Sequence, residues 1–213
     1  SGTGDVTVTA TQDVALTVDV NVVTSGGGTI DVAAAGGEFS MADTSSLETV
    51  DGDIRVVASG TTAGHQDLTV GDMIASNGNV GLTSATGSIL DADGDDGDDD
   101  VTANGLRLDA AVGIGTLGSG TNNALETNVT VLSARATSGG INVLETDGDP
   151  ADGRGDDGLR VDDVLSLTDP TVSVAVDRVQ SDATVVRETL AAQSDVVTTA
   201  GDGSIVLRSE RGE

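Results

Sequence analysis

Seven of the ten residues from Asp91 to Asp100 are aspartates. Carboxylates packed this closely repel one another, so the segment gains from a counter-ion. A hard cation with oxygen ligands suits it best, and Ca²⁺ accepts six to eight oxygens in flexible geometry. Asp91, Asp93, Asp95, Asp96 and Asp98 are the candidate ligands here. The alternation of Asp with Gly resembles the start of an EF-hand loop, but the twelfth position from Asp91 is Thr102 where that loop carries Glu. A second acidic segment supplies Asp147, Asp149, Asp152 and Asp156, with Asp157 beside them. The competing reading is a pair of solvated acidic turns that keep the molecule soluble, as in a salt-rich setting.

Other motifs carry less chemistry. Arg154-Gly155-Asp156 is the triplet that engages integrins in some extracellular ligands, yet it arises readily by chance in a segment rich in Gly and Asp. Asn128-Val129-Thr130 is a glycosylation sequon placed in an expected strand. Gly113-Ile114-Gly115-Thr116-Leu117-Gly118 matches the dinucleotide fingerprint, but no helix opens after it and no acid follows near position 133 to hold a ribose. His65, the only histidine, could act as a base beside Asp67, although Gly64-His65-Gln66-Asp67 reads as an exposed loop. There is no Gly-x-Ser-x-Gly elbow. Paired acids suit a glycosidase or lyase, but sugar sites of that kind use Trp, Tyr and basic residues. The chain has no Trp or Tyr and only nine Arg with no Lys. The sequence therefore reads as a non-enzymatic protein.

Composition narrows the classes further. The chain has 213 residues and a formal net charge of −27, with 36 acids against nine bases. That charge opposes binding to phosphate backbones, and aromatic stacking platforms are lacking, so nucleic acid is not an expected partner. The absence of Cys removes disulfides, thiolate zinc sites and Cys nucleophiles. No apolar run approaches the ~20 residues that cross a bilayer, so membrane insertion is not expected. No initiator Met or signal peptide is present, and the chain reads as a piece of something longer.

The elements that must position these residues announce themselves by repetition. A unit of Gly, any residue, apolar, any residue, apolar begins at Gly4, Gly28, Gly52 and Gly78, spaced 24, 24 and 26 residues apart, and returns at Gly203. Shorter forms begin at Gly105, Gly140 and Gly158. Period-two alternation predicts strands, and the leading Gly supplies a turn with freedom at positive φ. Further alternating runs lie at 14–18, 68–70, 129–131 and 172–176, so each period holds two or three short strands. The stretch 183–193 carries Thr184, Val185 and Val186 and suits a strand better than a helix. A longer echo aligns 89–95 and 105–109 with 143–149 and 158–162, which predicts that the second acidic loop sits at the same corner two coils further on.

Tandem β-sandwiches and a parallel β-solenoid both fit strands at this spacing. A sandwich core ~10 Å thick normally contains Trp or Tyr, whereas a solenoid needs only a thin column of Val, Ile, Leu and Ala. The sequence thus predicts a single all-β solenoid over residues 1–213, with acidic inserts at 91–100 and 147–158 and about eight coils, a rod ~40 Å long at ~4.8 Å per coil.

The phrases Gly87-Ser88-Ile89, Gly113-Ile114-Gly115-Thr116, Leu125-Glu126-Thr127 and Ser138-Gly139-Gly140-Ile141 with Leu144-Glu145-Thr146 carry a resemblance. They are similar to the repetitive regions of giant secreted bacterial surface proteins, the filamentous-haemagglutinin-like adhesins and related β-strand-repeat proteins. The resemblance covers roughly residues 78–150 and implies a right-handed parallel β-helix, export to the cell surface, and a structural or adhesive role. The long acidic inserts and the absence of Lys depart from the commonest forms. The expected function is a structural module of a long extracellular adhesin or filament. Its partners would be neighbouring repeats or end-to-end copies of itself, because open coil ends expose unpaired strand edges. A calcium-dependent surface that binds a receptor through the acidic loops is the alternative, and a polysaccharide-acting β-helix enzyme is the third.

Overall fold

The computed structural model describes residues 4–64, 66–94, 98–118, 123–146, 160–161, 174–191, 193, 195–200 and 203–209. All regular structure among them is β. Alternating apolar residues make a three-sided coil. Its first turn comprises β1 (Val6–Ala10), β2 (Val14–Leu16) and β3 (Asn21–Val23), and its second β4 (Ile30–Ala34), β5 (Phe39–Met41) and β6 (Ser46–Thr49). The third begins with β7 (Ile54–Ala58) and β8 (Leu68–Val70). From there, long strands bend around a corner and serve two faces: β9 (Asp72–Ser84), β11 (Val101–Ala110) and β12 (Leu125–Ala136), with β10 (Ile89–Asp91) between the first two. Five complete turns are followed by partial ones built from β13 (Ile141–Glu145), β14 (Arg160–Val161), β17 (Val196–Thr198) and β18 (Ile205–Ser209). Before β17 the chain leaves the coil as a hairpin, β15 (Ala175–Val179) and β16 (Val185–Thr189).

Every pairing between coils is parallel and stacks like on like. On face one Val6 lies over Ile30, Ile30 over Ile54, and Ile54 over Val80, which reproduces the spacings of 24, 24 and 26. Val80 continues to Leu106 and Leu106 to Leu132. Face two stacks Val14, Phe39, Leu68 and Ile89, then Ile114 and Ile141 through single bridges. Face three stacks β3, β6 and the leading halves of β9, β11 and β12. Inward positions are buried in the inner coils and partly buried in the outer strands at Val6, Val8, Val22 and Leu207, and Phe39 is the largest side chain in an otherwise aliphatic column with Met41 and Met73. Each coil leaves its apolar residues covered only by its neighbours, so burial and stacking are one event.

The fold class is the expected one, with five complete turns among the described residues where about eight are expected. Chain is spent on the corner between β7 and β8, on the insert between β10 and β11 and on the hairpin. Seven stacked strands along face one give a rod roughly 30 Å long at ~4.8 Å per step.

Two local expectations change. The glycines that open the units at 28, 52, 78 and 203 are needed for space, not for positive φ. A Cβ on Gly52 would stand 1.9 Å from the Gly28 carbonyl oxygen, and one on Gly78 would stand 2.0 Å from that of Gly52. Neither appears among the residues of positive φ, which include Gly94 and Gly115. The echo between 105–109 and 158–162 is also out of register. Val161 stacks on Leu132, which stacks on Leu106, so the true offset there is 55 residues and not 53. The acidic insert 91–100 leaves the corner between faces two and three. The second acidic segment, 147–158, lies outside the described residues.

Aspartates tie the coils together at the other corners. Thr29 N–H donates to Asp5 Oδ1 at 2.9 Å, Glu38 N–H to Asp13 Oδ1 at 3.0 Å, Asn79 N–H to Asp53 Oδ1 at 2.9 Å and Ser88 N–H to Asp67 Oδ1 at 2.8 Å. In each case the acceptor sits one coil before the donor. Part of the negative charge is thus structural, because a carboxylate accepting backbone N–H groups makes a charge-assisted bond of about 1.5–3 kcal/mol.

Candidate metal centre

The stem of the first acidic insert is its chemically distinctive part. Asp91 ends β10 in an inward position, stacked on Val70, so an acid takes a place that an aliphatic side chain holds one coil earlier. Asp100 immediately precedes β11, and its carbonyl accepts the Met73 N–H at 2.8 Å. The insert leaves and re-enters the coil here, so both carboxylates are drawn to its mouth. Each is 7% exposed.

Carboxylate oxygens of Asp91, Asp93 and Asp100 lie within 4.8 Å of one another, with Asp93 exposed. Asp91 is oriented by its own loop: Asp93 N–H donates to Oδ1 at 3.0 Å and Gly94 N–H to Oδ2 at 2.9 Å. Gly94 adopts φ 125°, a conformation few other residues reach. Asp100 Oδ2 accepts the Glu126 N–H at 2.8 Å from the next coil. Burial, the neighbouring Asp91 charge and, behind these, Glu126 push the Asp100 carboxyl up to about 10, against an ordinary 3.8. Around neutral pH this carboxyl holds a proton in the absence of a cation.

Of the residues expected to bind metal, Asp91 and Asp93 meet as ligands would. Asp98 is exposed and stands outside this cluster. Asp95, Asp96, Asp147, Asp149, Asp152 and Asp156 lie outside the described residues, as do Asp157, His65 and Arg154-Gly155-Asp156. Sequence reasoning passed over Asp100 and Glu126. The coil period contained the signal, since Glu126 falls 26 residues after Asp100 and therefore directly over it. Glu126 is 1% exposed. A further buried acid on this side, Glu145, is fully engaged: it accepts the Thr127 hydroxyl at 2.9 Å and the Val129 N–H at 2.9 Å.

The remaining motifs fall where no chemistry is assembled. Gly113–Gly118 runs along face two, with Ile114 bridging Ile89 and Ile141 and Thr116 bridging Asn123. The sequon Asn128-Val129-Thr130 lies within β12. Asp67 spends a carboxylate oxygen on coil stacking.

Three carboxylates, two of them buried, present only hard oxygen donors. That set fits Ca²⁺ or Mg²⁺ and offers nothing to a softer metal. Comparison of the chain with protein-family models, with curated proteins and with solved structures finds no match.

Proposed function

We propose that this chain is a structural repeat module of a long extracellular adhesin or filament, a stiff rod that holds distance and stacks end to end. The observation that carries this reading is the unbroken like-on-like ladder of face one from β1 to β12. A column of this kind is extended by adding another coil of the same shape, and among the described residues β1 is an edge strand. The charge of −27 sets the condition for stacking. Like-charged rods approach only when repulsion is screened, over ~3 Å at 1 M salt. Electron microscopy of the concentrated chain in about 1 M NaCl tests the reading. Rods several times longer than one unit are expected, and uniformly dispersed single units would contradict it.

The Asp91–Asp93–Asp100 cluster favours a second reading, a calcium-dependent adhesive surface acting through the acidic corner. Here the aspartates of the chain supply the ligands, and the cation replaces the proton held between Asp91 and Asp100. Calcium at millimolar concentration is then expected to raise the melting temperature by several degrees at pH 8. An identical melting curve in chelator at low salt would sink this second reading while leaving the rod intact.

A further inference from the structure

The hairpin of β15 and β16 does not join the coil but lies across it. Its inner strand crosses face one coil by coil toward the N-terminal end. Ala175 N–H donates to Asp53 Oδ2 on the third coil, Asp177 N–H to Thr29 Oγ1 on the second, and Val179 N–H to Thr7 Oγ1 on the first, each at 2.8 Å. Alternate N–H groups thus dock on successive coils, and the groups between them pair with β16. The returning strand continues down the rod. Leu190 crosses Gly81 on the fourth coil, where a Cβ would stand 2.4 Å from Leu190 Cδ1. Arg107 Nε donates to the Ala191 carbonyl at 3.0 Å, Gln193 Nε2 to the Leu108 carbonyl at 2.7 Å, and Ala134 N–H to the Asp195 carbonyl at 3.0 Å.

One buried charge fastens the crossing. Asp31 has 0% side-chain exposure and accepts Arg55 Nη1 through Oδ1 and Arg178 Nε through Oδ2, both at 2.6 Å. Arg55 comes from the next coil, Arg178 from the hairpin. Val174, Ala175 and Val176 are buried against the outside of the rod, apart from the main core.

A solenoid ordinarily behaves as a one-dimensional stack in which each coil feels only its neighbours and the end coils fray independently. Contacts from residue 179 to residue 7 and from residue 195 to residue 134 break that rule. We infer that the hairpin of β15 and β16, with the contacts of Leu190, Ala191, Gln193 and Asp195 that follow it, is an axial strap that makes coils one to six a single cooperative unit and specifically holds the N-terminal coil closed. The inference concerns the rod itself and is independent of what the rod carries.

Hydrogen exchange followed by mass spectrometry tests it on the full chain, as wild type, as Arg178→Gln and with residues 176–188 replaced by a short Gly-Ser linker. In wild type, the amides of 6–23 are expected to exchange within about threefold of those of 101–136. In Arg178→Gln the 6–23 amides should exchange at least tenfold faster while 101–136 change less than twofold, and the linker chain should show the same pattern more strongly. Unchanged exchange at 6–23 in Arg178→Gln would overturn the inference. So would equal acceleration along the whole rod, since the hairpin would then contribute only to global stability. Arg178→Gln keeps the test decisive if the linker chain does not fold.

Discussion

Asp31 and Asp100 show how differently one residue type can be used inside the same rod. Asp31 is fully enclosed and answered by two guanidinium groups. Asp100 is enclosed among other acids and answers its burial by holding a proton. A carboxyl whose folded value is raised adds stability that is fully present below its unfolded value near 3.8. That stability is lost as pH rises toward the folded value of about 10. In chelator, the wild-type chain should therefore lose stability steadily across this window. Asp100→Asn keeps an oxygen for the Glu126 N–H and never ionises. It should remove most of that slope and gain on the order of a few kcal/mol at pH 8. Urea unfolding at pH 5 and pH 8 checks this, and parallel losses in both proteins would refute the assignment. The sequence displays Asp100 as one member of a run, and its distinct role comes from standing at the stem, under Glu126.

At the scale of the element, most of the coil was legible because period-two alternation and a fixed spacing act together. Val6, Ile30, Ile54 and Val80 are a ladder on paper before they are one in space. The glycines were legible as landmarks but not in their reason, since close approach of a carbonyl one coil away is a tertiary fact. Gly52→Ala puts a Cβ into the Gly28 carbonyl and should cost about 1–3 kcal/mol or more as two coils are forced apart. Gly27→Ala, with nothing within 4 Å, serves as the control and should stay near neutral. Equal costs would argue against the steric reading. The hairpin was legible only as strands. Val185-Val186-Arg187-Glu188-Thr189 is β-prone but lacks the period-two alternation of a coil strand, and that alone does not say that β15 and β16 run across the stack. Asp31, Gly81 and Arg178 mark the crossing, and they are separated by up to 147 residues in sequence.

At the scale of the molecule, a narrow aliphatic interior and a strongly acidic exterior fit a chain that extends in one direction. Charge resists sideways clustering, and the axial strap resists fraying. The most direct test of the central claim, that coils stack like on like along the long axis, is X-ray diffraction from aligned material grown in high salt. The account predicts a sharp reflection near 4.8 Å parallel to the long axis, because the strands run across it. A 4.8 Å reflection perpendicular to that axis, or its absence from ordered rods, would contradict the account.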